Sequence, residues 1–414
     1  MNFTEHGEIL PRGGIEEQDL YVFTGSVIEA EGKYHIFYTG HNPHLQNKGL
    51  PKEAVMHAVS KDLIHWEKIL HDTFYAPSGT YEPHDWRDPF VFWNGEQNEY
   101  NMLLTARLND SPYNRKGCTV LCTSKDLTKW AVKESLWNPE LYFTHECPDL
   151  FEIGEWRYLI FSEFSDKCAT RYRMAKSMSG PWIAPHDDTF DGRAYYAAKT
   201  ASDGEKRYLF GWIPTKNKND DNNGWQWGGN LAVHEICQNP DGTLYCKIPE
   251  TVSNSFSGKT KNFPDRTLTA RDRCGMDLIC SPENAAYKIE ADIIFTADTK
   301  QCGIVLNYAE QSDDGYAFLI EPSANRIKFD FFPSWNKPGM KNCERPVELT
   351  AGEKNHLCVI VDNTCCIAYL NGKTALSGRM YGNKGGQTGL IAADGESRFE
   401  NITLINYYLR PEKE

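Results

Sequence analysis

Ser60-Lys61-Asp62-Leu63-Ile64-His65-Trp66 returns as Ser124-Lys125-Asp126-Leu127-Thr128-Lys129-Trp130, and a looser third copy reads Ser177-Met178-Ser179-Gly180-Pro181-Trp182. Each copy follows a short strand of alternating aromatic and apolar residues: Tyr34–Tyr38, Tyr100–Leu104 and Trp156–Phe161. A fourth such strand, Arg207–Trp212, leads into Trp227-Gly228-Gly229-Asn230-Leu231-Ala232-Val233-His234. Repeated units of period-2 strands joined by polar turns read as propeller blades, and about five of them fit the first 250 residues. Helical periodicity is nearly absent there, so the units are sheets and not helix pairs. The Ser-Lys-Asp-Leu segments are expected to turn the chain between outer strands, with Trp66, Trp130 and Trp182 packed between blades. That makes them structural.

Beyond Thr251-Val252-Ser253-Asn254-Ser255-Phe256-Ser257-Gly258-Lys259-Thr260 the character changes, and this polar stretch marks a domain junction. Downstream, segments 287–295, 303–308, 316–320, 327–331, 356–361 and 367–370 read as short strands, the last followed by the hairpin pair Asn371-Gly372. Many short strands separated by turns suggest a β-sandwich. The expected organisation is all-β: a five-bladed β-propeller over residues 1–255, a linker with the first sandwich elements over 256–284, and a lectin- or laminin-G-like β-sandwich over 285–414.

A chain of 414 residues is long for one core, which agrees with two domains. The net charge of −13, and no basic stripe, argue against nucleic acid and anionic membranes as partners. The opening Met1-Asn2-Phe3-Thr4-Glu5-His6-Gly7-Glu8 has neither a basic start nor an apolar run, so no signal peptide is expected, and no stretch is apolar enough for a membrane span. Thirteen cysteines without ladder spacing, including the vicinal pair Cys365-Cys366, suit reduced thiols and a cytoplasmic setting. Cys118, Cys122 and Cys147 complete no zinc pattern, so neither metal nor cofactor is expected. Oligomeric state is left open, with a homo-oligomer compatible.

Three signatures follow one another: Trp86-Arg87-Asp88-Pro89, Glu146-Cys147-Pro148-Asp149, and Asp191-Gly192 leading into Tyr195-Tyr196-Ala197-Ala198-Lys199-Thr200. The first two each supply an acidic side chain. Splitting an acetal needs one carboxyl to protonate the leaving oxygen and one to stabilise the oxocarbenium-like transition state. On these motifs, over residues 20 to 250, the chain resembles glycoside hydrolase family 32, the fructan and sucrose hydrolases, and more distantly family 43 of the same clan. The resemblance implies a five-bladed propeller with a funnel-shaped site and a following sandwich. It also implies that Asp88 holds the sugar hydroxyls and steadies the transition state, while Glu146 is the general acid and base. A general acid must keep its proton near neutral pH, which burial and a neighbouring carboxylate favour.

One position departs from the family. Where the resemblance places the nucleophilic aspartate, just before Gly32–Tyr38, the chain has Thr24, within Tyr21-Val22-Phe23-Thr24-Gly25-Ser26. Three repairs are open: an upstream acid, Asp19 or Glu17, bends into the site; Asp85 acts as base for water; or the site binds sugar without cleaving it. Asp19 is the preferred third catalytic group beside Glu146 and Asp88. Substrate contacts are expected from Thr24, Ser26, His41, Trp86, Arg87, Tyr195, Lys199, Trp212, Trp225 and Trp227, since indole and phenol faces stack on sugars. Lys199 replaces a neutral side chain of the family and points toward an anionic or phosphorylated substrate. The expected function is hydrolysis of terminal furanosides, chiefly β-fructofuranosides of sucrose or short fructo-oligosaccharides. An arabinofuranosidase-like activity and a non-catalytic carbohydrate-binding propeller are the alternatives.

Overall fold

The computed structural model describes residues 5–271, 273–333 and 343–407, so the first four residues of the opening stretch lie outside the described residues. The chain is almost entirely β and divides into two compact units, residues 2–188 and 189–414. The first unit holds three small antiparallel sheets. One is built of β1 (Tyr21–Ala30), β2 (Lys33–His41), β3 (Glu53–Ser60) and β4 (Trp66–Lys68). The next takes β5 (Tyr81–Asn94), β6 (Glu99–Leu108), β7 (Gly117–Ser124) and β8 (Ala131–Trp137). In the third, β9 (Glu146–Ile153), β10 (Trp156–Glu163) and β11 (Ala169–Ala175) pair in sequence, and an isolated bridge from Met174 to Ile183 stands where a fourth strand would lie.

The repeated heptapeptides are the turns expected of them. Ser60 Oγ accepts the backbone N–H groups of Asp62 and Leu63, and Asp62 Oδ1 accepts those of Ile64 and His65. In the second copy Ser124 Oγ accepts from Asp126 N–H, while Asp126 Oδ1 accepts from Thr128 and Lys129. Those last bonds hold the Asp126 carboxyl down at about 2. Leu63 and Leu127 both take the left-handed backbone, at φ +66° and +62°. Trp130 meets Phe37 edge-on at 5.5 Å in a core shared by the first two sheets, and Trp182 packs on Leu103, Leu150 and Leu159.

The second unit opens with a fourth small sheet, β12 (Tyr196–Ser202), β13 (Arg207–Lys216), β14 (Trp225–Gln238) and β15 (Leu244–Lys247). Among the described residues four small antiparallel sheets thus precede the two large ones. The seven-stranded one uses β16 (Thr260–Asn262), β17 (Arg266–Thr269), β19 (Ala286–Phe295), β24 (Lys354–Asp362), β25 (Cys365–Leu370), β26 (Thr374–Arg379) and β28 (Glu396–Asn406). The six-stranded one uses β18 (Cys274–Cys280), β20 (Gln301–Ala309), β21 (Asp314–Glu321), β22 (Arg326–Phe332), β23 (Glu344–Pro346) and β27 (Gln387–Ala393).

One apolar cluster draws on both large sheets: Tyr287, Ile289, Ala291, Ile293 and Phe295 of β19 join Ile304, Phe318 and Phe329 of the other sheet. The odd positions of β19 face this core and the even ones carry Lys288, Glu290 and Asp292, as period-2 alternation requires. At the tip of the β25–β26 hairpin Asn371 and Gly372 have φ of +54° and +60°, the conformation that favours this residue pair. All thirteen cysteines are unbridged. Among the described residues no helix is long and apolar enough to cross a membrane, and no group of three or more His, Cys, Asp or Glu is placed to hold a metal.

Candidate active site

The first strand of every small sheet slips register, β5 also a second time between Tyr81 and Trp86. Along β1, Phe23 pairs with Thr39 and Gly25 with Tyr38, which leaves Thr24 as an extra residue. Along β5 the slip lies between Arg87 and Phe90, along β9 between Glu146 and Asp149, and along β12 between Tyr196 and Lys199. Asp88, Cys147 and Ala197, the first residues within these slips, have φ of +57°, +53° and +53°. A bulge re-aims a side chain, and a positive φ outside glycine costs energy that a neighbourhood must offset, so such positions are candidates for function.

In the first unit these bulges bring their residues together. Cys147 donates its backbone N–H to Asp88 Oδ2 at 2.9 Å, and its Sγ lies 3.6 Å from the Thr24 hydroxyl. Thr39 joins the other two: its Oγ donates to the Thr24 carbonyl at 3.1 Å and accepts the Asp88 N–H at 2.8 Å. Thr105 donates to Asp88 Oδ2 at 3.1 Å. Asp88 is buried, which fixes its carboxylate in one orientation.

Arg87 connects this group to Glu146. Its Nη2 donates to Glu146 Oε1 at 3.0 Å, its Nη1 to Asp85 Oδ1 at 2.7 Å and Glu53 Oε2 at 3.2 Å, and its Nε lies 3.8 Å from Asp88 Oδ2. Burial opposes the charge on Arg87, yet Glu53, Glu146, Asp88 and Asp85 hold the guanidinium well above its ordinary pKa. Glu53 is buried too. Burial works against its charge, but Arg87, His41 and Lys52 keep its carboxyl below the usual range. His145, beside Glu146, is wholly buried and stacked on Trp137 at 4.6 Å, and desolvation presses its pKa to about 3, so it stays neutral.

The structure thus unites Glu146, Asp88, Arg87 and Thr24, and adds His41, which pairs with Glu53 at 3.2 Å and stacks on Phe23 at 4.5 Å. Several expected site residues are placed elsewhere. Asp19 is buried, with its Oδ2 accepting from Lys68 Nζ at 2.5 Å and the Tyr38 hydroxyl at 3.0 Å. Tyr38 and Thr39 are consecutive in β2 and point to opposite faces, so Asp19 sits across that strand from Asp88's partner Thr39. Glu17 is exposed and accepts the Gly14 N–H. Trp86 is fully buried between Phe74 and Tyr81 and is a core residue, not a sugar platform. Ser26 accepts the Val91 N–H and ties β1 to β5.

In the second unit Tyr195 is also fully buried, donating its hydroxyl to the Leu209 carbonyl above Gly211, whose missing Cβ would meet the ring at 2.6 Å. That corrects the expected substrate contact. Trp225 lies under Lys216 at 4.7 Å and Arg193 at 5.6 Å. Lys199 is half-buried in β12, opposite Phe210. Trp227, 64% exposed, groups with Trp212 and Tyr196. Asp191, at the head of the third signature, is wholly buried in bonds to His234 and Ser377. Sequence reading overlooked Glu53; a carboxylate opening the otherwise apolar strand Glu53-Ala54-Val55-Met56 was the available sign.

A buried aspartate and a half-buried glutamate on adjoining bulged strands are the equipment of a carboxylate glycosidase. The profile described as "Glycosyl hydrolases family 32 N-terminal domain" matches residues 1–242, and the chain belongs to that family of glycoside hydrolases. It is similar to raffinose invertase of Escherichia coli, 25% identical over 411 aligned positions covering 92% of this chain and 79% of that one. Sucrose-6-phosphate hydrolase of Zymomonas mobilis subsp. mobilis is 29% identical over 415 positions, covering 92% and 77%. In three dimensions the chain resembles an Aspergillus kawachii β-fructofuranosidase complexed with glycerol, with a TM-score of 0.75 at 16% identity over 99% of this chain and 86% of that one. At that identity the likeness is one of fold.

Proposed function

We propose that this enzyme hydrolyses terminal β-fructofuranosides, with sucrose, its phosphorylated form or short fructo-oligosaccharides as substrates. The family membership and the substrates named for its relatives support the sugar class. The observation that carries the chemistry is the junction of β5 and β9, where Asp88 and Glu146 are linked through Cys147 N–H and Arg87. Glu146 is the proton donor to the leaving oxygen. Asp88, whose orientation Cys147 and Thr105 fix, steadies the positive charge that develops on the sugar. In the same reading the small sheets are propeller blades within residues 1–255, residues 256–284 lead into a β-sandwich, and that sandwich occupies 285–414. The successive meanders and the core common to the two large sheets support it.

Direct attack by water is favoured over a covalent intermediate, because Thr24 offers no carboxylate and Asp19 is committed to Lys68. Asp85 is the proposed base. Its Oδ1 and Glu146 Oε1 bind two nitrogens of one guanidinium, at 2.7 and 3.0 Å, so they are at most about 8 Å apart. That limit is compatible with the roughly 6.5–9.5 Å of inverting glycosidases and does not by itself separate them from retaining ones. The test is incubation of the protein and its Glu146→Gln variant with sucrose, sucrose 6-phosphate, kestose, short inulin and levan oligosaccharides and aryl arabinofuranosides, with released sugar quantified by anion-exchange chromatography. Fructose release that collapses in the variant is the expected result. Arabinose release, or none from any substrate, overturns the reading.

A further inference from the structure

Glu146 faces a conflict. A general acid must retain its proton near neutral pH, yet a guanidinium nitrogen 3.0 Å away favours the ionised form. The charges around Arg87 resolve it. Asp85 is partly open to water and lies also 3.8 Å from Arg107, and Asp88 stands 3.8 Å from Arg87 Nε. Glu53 differs from Asp85 in burial and from Asp88, which is as deeply buried, in bonding Arg87 directly at 3.2 Å. It is 3% exposed, and its Oε2 is fixed by the Trp86 N–H as well as by Arg87, while its Oε1 is held by His41. Its charge is therefore poorly screened and cannot swing away.

We propose that Glu53 is a positioning residue for this reaction: by holding Arg87 from the side opposite Glu146, it limits the guanidinium's pull and keeps Glu146 protonated to higher pH. The proposal rests on Glu146 being the proton donor. The charged and titratable groups facing this relay are His41 on β2, Glu53 with neighbouring Lys52 on β3, Asp85, Arg87 and Asp88 on β5, Arg107 on β6 and Cys147 on β9. Glu53 Oε2 and Glu146 Oε1 are bound to two nitrogens of the same guanidinium at 3.2 and 3.0 Å, which puts them at most about 8.5 Å apart. With an effective dielectric of about 20, removing one charge at that range lowers a neighbouring pKa by about 1.4 units, which salt screening brings toward one.

The experiment is the pH dependence of kcat/KM for fructose release by the wild type, Glu53→Gln and Glu53→Asp, with melting curves to check folding. Loss of the negative charge lowers the pH at which Glu146 ionises, so the alkaline limb of Glu53→Gln moves down by about one pH unit while Glu53→Asp keeps it. A limb that stays in Glu53→Gln, or that moves equally in Glu53→Asp, overturns the proposal. If Glu53→Gln does not fold, Glu53→Met, uncharged and of similar volume, takes its place: its limb must fall, and one that stays or rises overturns the proposal. A wild type without turnover on any furanoside removes the proton-donor assignment itself, and the proposal with it.

Discussion

Replacing Asp191 by alanine is expected to destabilise the second unit severely, and replacing it by asparagine only mildly. The Asp191 carboxylate is fully buried. Its Oδ1 accepts the N–H groups of Gly192 at 2.5 Å and Ser377 at 2.7 Å. Its Oδ2 accepts the Ser377 hydroxyl at 2.6 Å and pairs with His234 Nε2 at 3.0 Å. Alanine leaves two backbone donors, a hydroxyl and an imidazole without that acceptor. Each buried orphan costs about 1–3 kcal/mol, and the losses overlap because the groups share one carboxylate, so about 3–5 kcal/mol is the expected sum. Asparagine keeps an oxygen for both N–H groups and turns its amide toward His234. The imidazole can answer by moving its proton to Nδ1, which faces the Tyr369 hydroxyl at 2.9 Å, and the cost falls to about 1–2 kcal/mol. For a unit of this size 1 kcal/mol shifts Tm by roughly 2–4 °C, so calorimetry should register a drop of roughly 6–20 °C for alanine and 2–8 °C for asparagine. Acid narrows the gap between the wild type and both variants. Burial raises the Asp191 pKa, but the bonds from His234 and Ser377 outweigh it and leave the pKa below the ordinary aspartate value. Its contribution is thus complete above about pH 4 and fades as pH falls through the folded-state pKa, a fade the asparagine variant lacks. An alanine variant melting within about 2 °C of the wild type, or an asparagine variant as damaged as alanine, would refute this account.

Glu146→Gln should melt like the wild type and lose 10²–10⁴-fold in kcat, roughly what a positioned proton donor contributes; initial-rate measurements decide it. Asp19→Asn weakens the buried pair with Lys68 and should lower Tm by several degrees while fructose release stays within about two-fold. Collapse of turnover without a change in Tm would instead put Asp19 in the chemistry. Gly229→Ala places a Cβ 1.9 Å from the Ile213 carbonyl of the neighbouring strand, a backbone atom that cannot yield, so the variant should lose about 3 kcal/mol or more or fail to fold. Gly224→Ala, with no atom within 4 Å, is its neutral control in chemical denaturation.

Much of the fold was legible because its signals are local. Ser60-Asp62 and Ser124-Asp126 make their turns from bonds that span two or three residues, and the apolar runs of β2, β6, β10 and β13 are short enough to read as strands, β13 burying one face and β6 and β10 both. Asp88 and Glu146 could be picked out by their neighbours in sequence. Their common setting could not, since a bulge is a relation between two strands and leaves no mark on one. Trp86 and Tyr195 misled for a chemical reason: an aromatic ring suits a core as well as a sugar face, and only burial separates the two uses. Asp19 was attractive by sequence proximity to Thr24, but strand alternation set it on the other face of β2. Glu53 stayed hidden because its meaning lies in Arg87, a partner far along the chain.

The slipped first strands divide labour between frame and lettering. At one backbone location, copied from sheet to sheet, the chain writes threonine, then aspartate, then cysteine, then alanine, with arginine, glutamate and tyrosine standing just ahead of the last three. The scaffold sets where a side chain is delivered and leaves its identity free. New chemistry can then enter by a single codon at an address that already exists.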